Sequence, residues 1–193
     1  KANGQKNLKL NKINKKFVYL ISPNKISNIN FYDDLALVLS SKKISFFQLR
    51  LKKETNSNKL IIGKKIKKIC DKYKVKFLIN DDPLLAKKLN ADGCHLGQKD
   101  MDLIKARKIL KNKIIGMTCH NSINLAKRAI EDGADYVAFG AFYATKTKIV
   151  KYRASLTVLK SIKKITSIPI VAIGGIKLNN YKKLLLNKAN FLA

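Results

Sequence analysis

The chain has 193 residues and 46% hydrophobic content, enough for one domain with a sizeable core and too apolar for a disordered tail. Apolar runs such as Ile168–Ile173 fall far short of the about 20 residues that a helix needs to span a bilayer. The net charge of +29 would draw anions, but the lysines fall in almost every segment and form no single stripe interleaved with aromatics, which argues against nucleic acid.

Residues 1–16 are polar and basic with no clear period and read as an N-terminal arm, followed by a single domain over 17–193. Short apolar runs then alternate with longer amphipathic stretches. The runs are Phe17–Ile21, Ser45–Leu49, Lys76–Ile79, Gly93–Leu96, Ile114–Met117, Tyr136–Phe139, Pro169–Ile173 and Ala189–Ala193. Each has strand length, and most are β-branched or aromatic. Between them, Leu60 to Cys70, Leu103 to Leu110, Ile123 to Ile130 and Leu156 to Ile165 carry apolar residues at helical spacing. Asn121 and Ser122 are candidate N-caps, and Gly133 stands where a helix stops.

Strands alternating with helices pair in parallel through crossovers. Eight such units favour a closed (βα)8 TIM barrel, an α/β fold, over an open doubly wound sheet. No GxGxxG fingerprint follows the first run. The chain ends inside the eighth run, so the barrel is expected to be incomplete at its C-terminal end.

In such barrels the chemistry sits on the loops after the strands. There lie Gln48–Lys52, Asn80-Asp81, His95–Asp100, Met117–His120, Gly140–Lys148 and Gly174-Gly175. Gln48, Arg50 and Lys52 are two apart and share a face. Acids are scarce, 12 in all, and Asp81, Asp82, Asp92, Asp100 and Asp102 crowd into one stretch. Asp81 and Asp100 have two readings, as helix N-caps or as a pair holding one hard cation such as Mg²⁺ with substrate phosphate oxygens. Taken alone, Asp81 reads as the cap of a helix starting near Pro83. Thr145, Lys146, Thr147 and Lys148, with Gly174-Gly175, offer hydroxyls, ammoniums and open backbone for a phosphate. His95 reads as a hydrogen-bonded structural residue, and His120 stands nearer the active face. The three cysteines, Cys70, Cys94 and Cys119, form no disulfide framework and suit a cytoplasmic protein. The start on Lys1, with no secretory signal, leads us to expect an N-terminus that has lost residues.

Taken in order, Gln48-Leu49-Arg50-Leu51-Lys52, Asn80-Asp81, His95-Leu96-Gly97-Gln98-Lys99-Asp100, the loop ending Thr145-Lys146-Thr147-Lys148, and Pro169 to Ile176 resemble the motif set of thiamine phosphate synthases, relatives of the thiazole tautomerases. The resemblance covers about residues 17–193. It implies that Asp81 and Asp100 bind Mg²⁺. It implies that Gln48, Arg50, Lys52, Asn80 and Lys148 hold a hydroxymethylpyrimidine diphosphate, and that Thr145, Lys146, Thr147 and Gly175 hold a thiazole phosphate. The family reaction is dissociative, so Arg50, Lys52 and Lys148 would act on the leaving diphosphate. Thr118 stands where the family usually has Ser and is expected to keep that catalytic, substrate-touching hydroxyl. Ala141 and Ala144 replace usual prolines, and the chain stops short of a strand-eight serine that the family uses for the thiazole phosphate. The rival readings are a thiazole tautomerase using His120 as base, a non-catalytic barrel that binds phosphorylated ligands, and a charge-driven nucleic-acid binder. Assembly into a homo-oligomer stays open.

Overall fold

The computed structural model describes residues 17–145 and 151–193; the basic arm over 1–16 and the segment 146–150, with Lys146, Thr147 and Lys148, lie outside the described residues. Eight strands alternate with seven helices in the described part. They are β1 (Val18–Ile21), α1 (Phe31–Ser40), β2 (Ile44–Leu49), α2 (Asn56–Lys72), β3 (Lys76–Asn80), α3 (Pro83–Lys88), β4 (Gly93–Leu96), α4 (Leu103–Leu110), β5 (Ile114–His120), α5 (Ile123–Glu131), β6 (Tyr136–Gly140), α6 (Leu156–Lys163), β7 (Ile170–Ile173), α7 (Tyr181–Leu186) and β8 (Phe191–Leu192). All pair in parallel, in sequence order, into a closed barrel. Closure rests on the two-residue β8, which pairs with β7 at Phe191 and Leu192 and with β1 at Leu192. The expected incompleteness at the C-terminal end therefore does not leave the barrel open.

The strands are apolar on both faces because both are covered. Along β2 every residue is buried. Phe47, Phe77, Ile79, Cys94, Ile115, Val137 and Phe139 face the helices. Tyr19, Phe46, Leu78, Ile114, Tyr136, Ala138, Val171 and Phe191 fill the interior. No helix among the described residues is long and apolar enough to cross a membrane.

Four of the seven helices in the described part, α2 to α5, start on side-chain caps that their sequences provide. Thr55 caps α2, accepting from Asn58 N at 3.2 Å. Ser122 caps α5, accepting from Leu125 N at 3.2 Å. Asp82, not Asp81, caps α3, accepting from Leu85 N at 2.9 Å just ahead of Pro83. Asp102, not Asp100, caps α4, accepting from Ile104 N and Lys105 N. The capping reading of Asp81 and Asp100 is thereby overturned, and their carboxylates go to the barrel mouth.

The fifth acid of the crowd is at the other end of the barrel. Asp92, just before β4, accepts from Phe77 N on β3 (3.0 Å) and from Lys76 Nζ (2.8 Å). Asp135 before β6 takes Ile115 N on β5 (2.7 Å) and Arg107 (2.7 Å), and Asn190 before β8 takes Ile170 N on β7 (2.9 Å). The same clasp recurs at alternate strands. It satisfies a strand N–H at the barrel floor that would otherwise be left without a partner.

Candidate functional site at the barrel mouth

Asp81 follows β3 directly and sits in the left-handed region at φ 65. A non-glycine residue there costs of order 1–3 kcal/mol and is held by its surroundings, a pattern that collects at functional sites. The turn aims its carboxylate at Lys52, 2.9 Å away from the loop after β2. Asp100, from the loop after β4, accepts from Gly97 N at 2.7 Å and is hydrogen-bonded to Asp81. Burial alone would raise the Asp81 carboxyl, but the hydrogen bond from Asp100 and the nearby Lys52 ammonium hold it below the usual range. Asp100 goes the other way, raised by burial and by its acidic neighbour. Of the two, Asp100 is the one whose charged form is disfavoured and Asp81 the one whose charged form is favoured.

Two carboxylates in contact at the ends of neighbouring strands form an all-oxygen donor set. That fits a hard divalent cation completed by water and ligand oxygens. Among the described residues no group of three or more His, Cys, Asp or Glu gathers as a metal site. A cation here would therefore need its remaining ligands from substrate and solvent.

Arg50 is held at two points by the loop that follows β1. Its backbone N donates to Ser22 Oγ at 2.8 Å, and its guanidinium donates to Asn24 Oδ1. Asn24 also accepts from Lys53 N through its carbonyl (3.3 Å). The β1–α1 loop thus supports the cationic edge, a contribution absent from the sequence reading. Gln48 points inward and is buried, Asn80 closes β3 half-buried, and Thr118 is half-buried on β5. Thr118 was expected in a loop, but β5 runs on to His120 with an irregularity between the two.

Across the mouth, Gly174 and Gly175 both have positive φ, 102 and 64. A Cβ on Gly175 would lie 2.3 Å from Ala144 O, so this turn is pressed against the β6 loop. Tyr143 N donates to Gly174 O at 3.1 Å. The structure so brings Gly175 beside the segment leading into Thr145; Lys146, Thr147 and Lys148 lie outside the described residues.

The two histidines have different surroundings. His95 is buried and hydrogen-bonded through both ring nitrogens, to Tyr136 Oη and Thr118 Oγ1, each at 2.8 Å. His120 stacks on Tyr152 with ring centroids 4.4 Å apart.

A protein-family model described as "Thiamine monophosphate synthase" matches residues 18–193. The "Thiamine-phosphate synthase" of Pelagibacter ubique is 92% identical over 186 residues, covering 96% of this chain and 90% of that protein. The "Thiamine-phosphate synthase" of Nitrosomonas eutropha is 38% identical over 91% of this chain and 83% of its own length. Among solved structures, the thiamine phosphate pyrophosphorylase of Pyrococcus furiosus is similar at 28% identity and TM-score 0.80, over 93% of this chain and 85% of that one. An N-acetylmannosamine-6-phosphate 2-epimerase from Clostridium perfringens shares the fold at 14% identity and TM-score 0.64.

Proposed function

The chain belongs to the thiamine monophosphate synthase family, and from that premise we propose that it joins 4-amino-2-methyl-5-(diphosphooxymethyl)pyrimidine to a thiazole phosphate. It is a transferase of the thiamine-phosphate synthase kind. The observation that carries the finer reading is the mouth cluster: Lys52 on Asp81 at 2.9 Å, Asp100 hydrogen-bonded to Asp81, and Arg50 tethered alongside.

In the proposed reaction the methylene carbon loses its bond to the diphosphate oxygen, and diphosphate leaves with the electron pair. The thiazole nitrogen then donates its lone pair to that carbon, giving thiamine phosphate. The attacking nitrogen has no proton to lose, so no general base is required. What the site must do is hold two reactants in line and neutralise a leaving group. Arg50 and Lys52 supply fixed positive charge beside the carboxylates, and Lys148 is assigned to the same task. Gln48, Asn80 and Thr118 would orient the pyrimidine, and Thr145, Lys146, Thr147 and Gly175 the thiazole phosphate. Asp81 and Asp100 would hold Mg²⁺, which when bound supplies further charge neutralisation at the diphosphate. The tautomerase reading would not use the acid pair or the Gln48–Lys52 face.

The test is product formation from the two phosphorylated halves, with and without Mg²⁺, alongside Asp100→Ala. Mg²⁺-dependent thiamine phosphate, lost on the order of a hundredfold or more in the variant, is the expected result. Equal turnover without the metal, or in Asp100→Ala, would remove the metal assignment. Thiazole phosphate binding with no product would favour the tautomerase or the non-catalytic barrel.

A further inference from the structure

Small parallel barrels are ordinarily filled by layers of branched aliphatic side chains. A string of hydrogen bonds runs through this one. Gln48 Nε2 donates to Tyr19 Oη at 3.1 Å, and Tyr19 Oη meets Tyr136 Oη at 2.7 Å. Tyr136 Oη meets His95 Nδ1 at 2.8 Å, and His95 Nε2 meets Thr118 Oγ1 at 2.8 Å. The members come from β2, β1, β6, β4 and β5 in turn. The Tyr136 ring can cross the barrel because β5 carries Gly116, where a Cβ would lie 1.9 Å from Tyr136 Cζ. Polar groups buried this deeply are tolerated only when bonded, and apolar side chains of the same shape would be no less stable. Stability alone therefore does not account for the string.

Its protons can be counted. The Gln48 amide nitrogen only donates, so Tyr19 Oη accepts from it and gives its one proton to Tyr136 Oη. Burial holds both phenols well above their usual range, so each keeps that proton. In a neutral imidazole, a proton donated by Tyr136 to His95 Nδ1 places the ring proton on Nε2, to be donated to Thr118 Oγ1. Within the string itself two groups at the ends are not used: the Gln48 carbonyl oxygen, an acceptor, and the Thr118 hydroxyl proton, a donor.

We infer that this string is a positioning device that fixes the donor–acceptor pattern offered to the aminopyrimidine, with Tyr19, Tyr136 and His95 as positioning residues. The inference rests on the proposed substrate reading. An aminopyrimidine donates from its exocyclic amine and accepts at its ring nitrogens, the complement of a carbonyl oxygen and a hydroxyl proton. With the His95 proton on Nδ1, Tyr136 Oη would accept from the ring and Nε2 would be a bare acceptor facing Thr118. Thr118 would then spend its proton on His95 and present only lone pairs.

The first measurement needs no substrate. The chain has two histidines, so ¹⁵N spectra of wild type and His120→Gln isolate the His95 signals. A neutral ring protonated at Nε2 is expected, with the Nδ1 resonance moving in Tyr136→Phe as its donor is lost. A proton on Nδ1, or an imidazolium, overturns the inference. The second measurement is a cycle in turnover with Thr118→Val, Thr118→Ser and Tyr136→Phe, where the phenylalanine ring still fills the space over Gly116. Thr118→Val should raise the KM for the pyrimidine diphosphate on the order of tenfold, the loss of one useful hydrogen bond. Thr118→Ser should restore it, and the KM for thiazole phosphate should stay put. In the Tyr136→Phe background Thr118→Val should change that KM less than threefold. Fully additive effects overturn the inference. A wild type that forms no thiamine phosphate would instead defeat the functional reading, and the ¹⁵N result would still decide the direction of the string.

Discussion

Gly116→Ala tests the packing of the barrel interior. The added methyl would lie 1.9 Å from Cζ of Tyr136 and 2.3 Å from both neighbouring ring carbons. Carbon contacts settle near 3.5 Å, so the ring must retreat by about 1.6 Å. Its hydroxyl is held at 2.7 Å to Tyr19 and 2.8 Å to His95. A shift of that size breaks both bonds in a buried place. Overpacking of this kind costs about 1–3 kcal/mol, and a buried group left unpaired costs about 1–3 kcal/mol more. A total of about 4 kcal/mol corresponds to a Tm lower by roughly 8–16 °C for a chain of this length. Gly133→Ala is the control, because its Cβ would meet nothing within 4 Å and only its φ of 93 resists a side chain. Thermal unfolding followed by circular dichroism decides between them. A Gly116→Ala protein melting within 2–3 °C of wild type would refute the claim that Tyr136 is locked against β5.

Two further outcomes follow from the mouth and from the helix ends. Asp100→Asn should raise thermal stability of the ligand-free protein at neutral pH while removing Mg²⁺-dependent turnover. The folded state raises the Asp100 carboxyl, so its charged form opposes folding above that raised value, and the penalty fades as pH falls through it. Asp81 has the opposite sign: its depressed carboxyl favours folding above its unfolded value, and that support is lost as pH falls through the folded one. A melting scan across pH checks both, and an Asp100→Asn protein less stable than wild type at pH 7 would contradict a carboxyl whose charged form opposes folding. Lys74 lies just beyond the C-cap of α2 at φ 54, where glycine is the usual residue. Lys74→Gly should add about 0.5–1 kcal/mol in denaturant unfolding, the left-handed cost of a side chain less the extra freedom of unfolded glycine, and any loss of stability would count against that account.

Most strands could be read from the chain because strands covered on both faces become unbroken apolar runs. Helices α2, α4, α5 and α6 showed their apolar spacing for the related reason that one face packs on the barrel. Two helices were missed. α1 carries Leu37 and Val38 on its exposed side, which blurs the period, and α7 has only six residues. Glycine stop signals were also scarce, since Lys42, Lys74, Lys111 and Lys188 hold positive φ at helix ends where glycine is common. Of the site, the strand-end residues were legible from position alone. The division of labour among the five clustered acids was not, because a cap, a floor clasp and a mouth carboxylate look alike until each side chain has a partner.

Order along the chain determined the alternation of strand and helix, the parallel pairing and the end of the barrel at which the candidate site gathers. These follow from periodicity and from the handed geometry of crossovers, which act over tens of residues. Tertiary structure alone decided what meets inside. Tyr19 and Tyr136 are 117 positions apart and touch through their hydroxyls. His95 meets Tyr136 and Thr118 on other strands, and Gly116 is required only because a ring from β6 crosses in front of it. Hydrogen bonds and steric contact reach only a few ångströms. No local pattern encodes them, and they exist only once closure of the barrel has brought the strands to that distance.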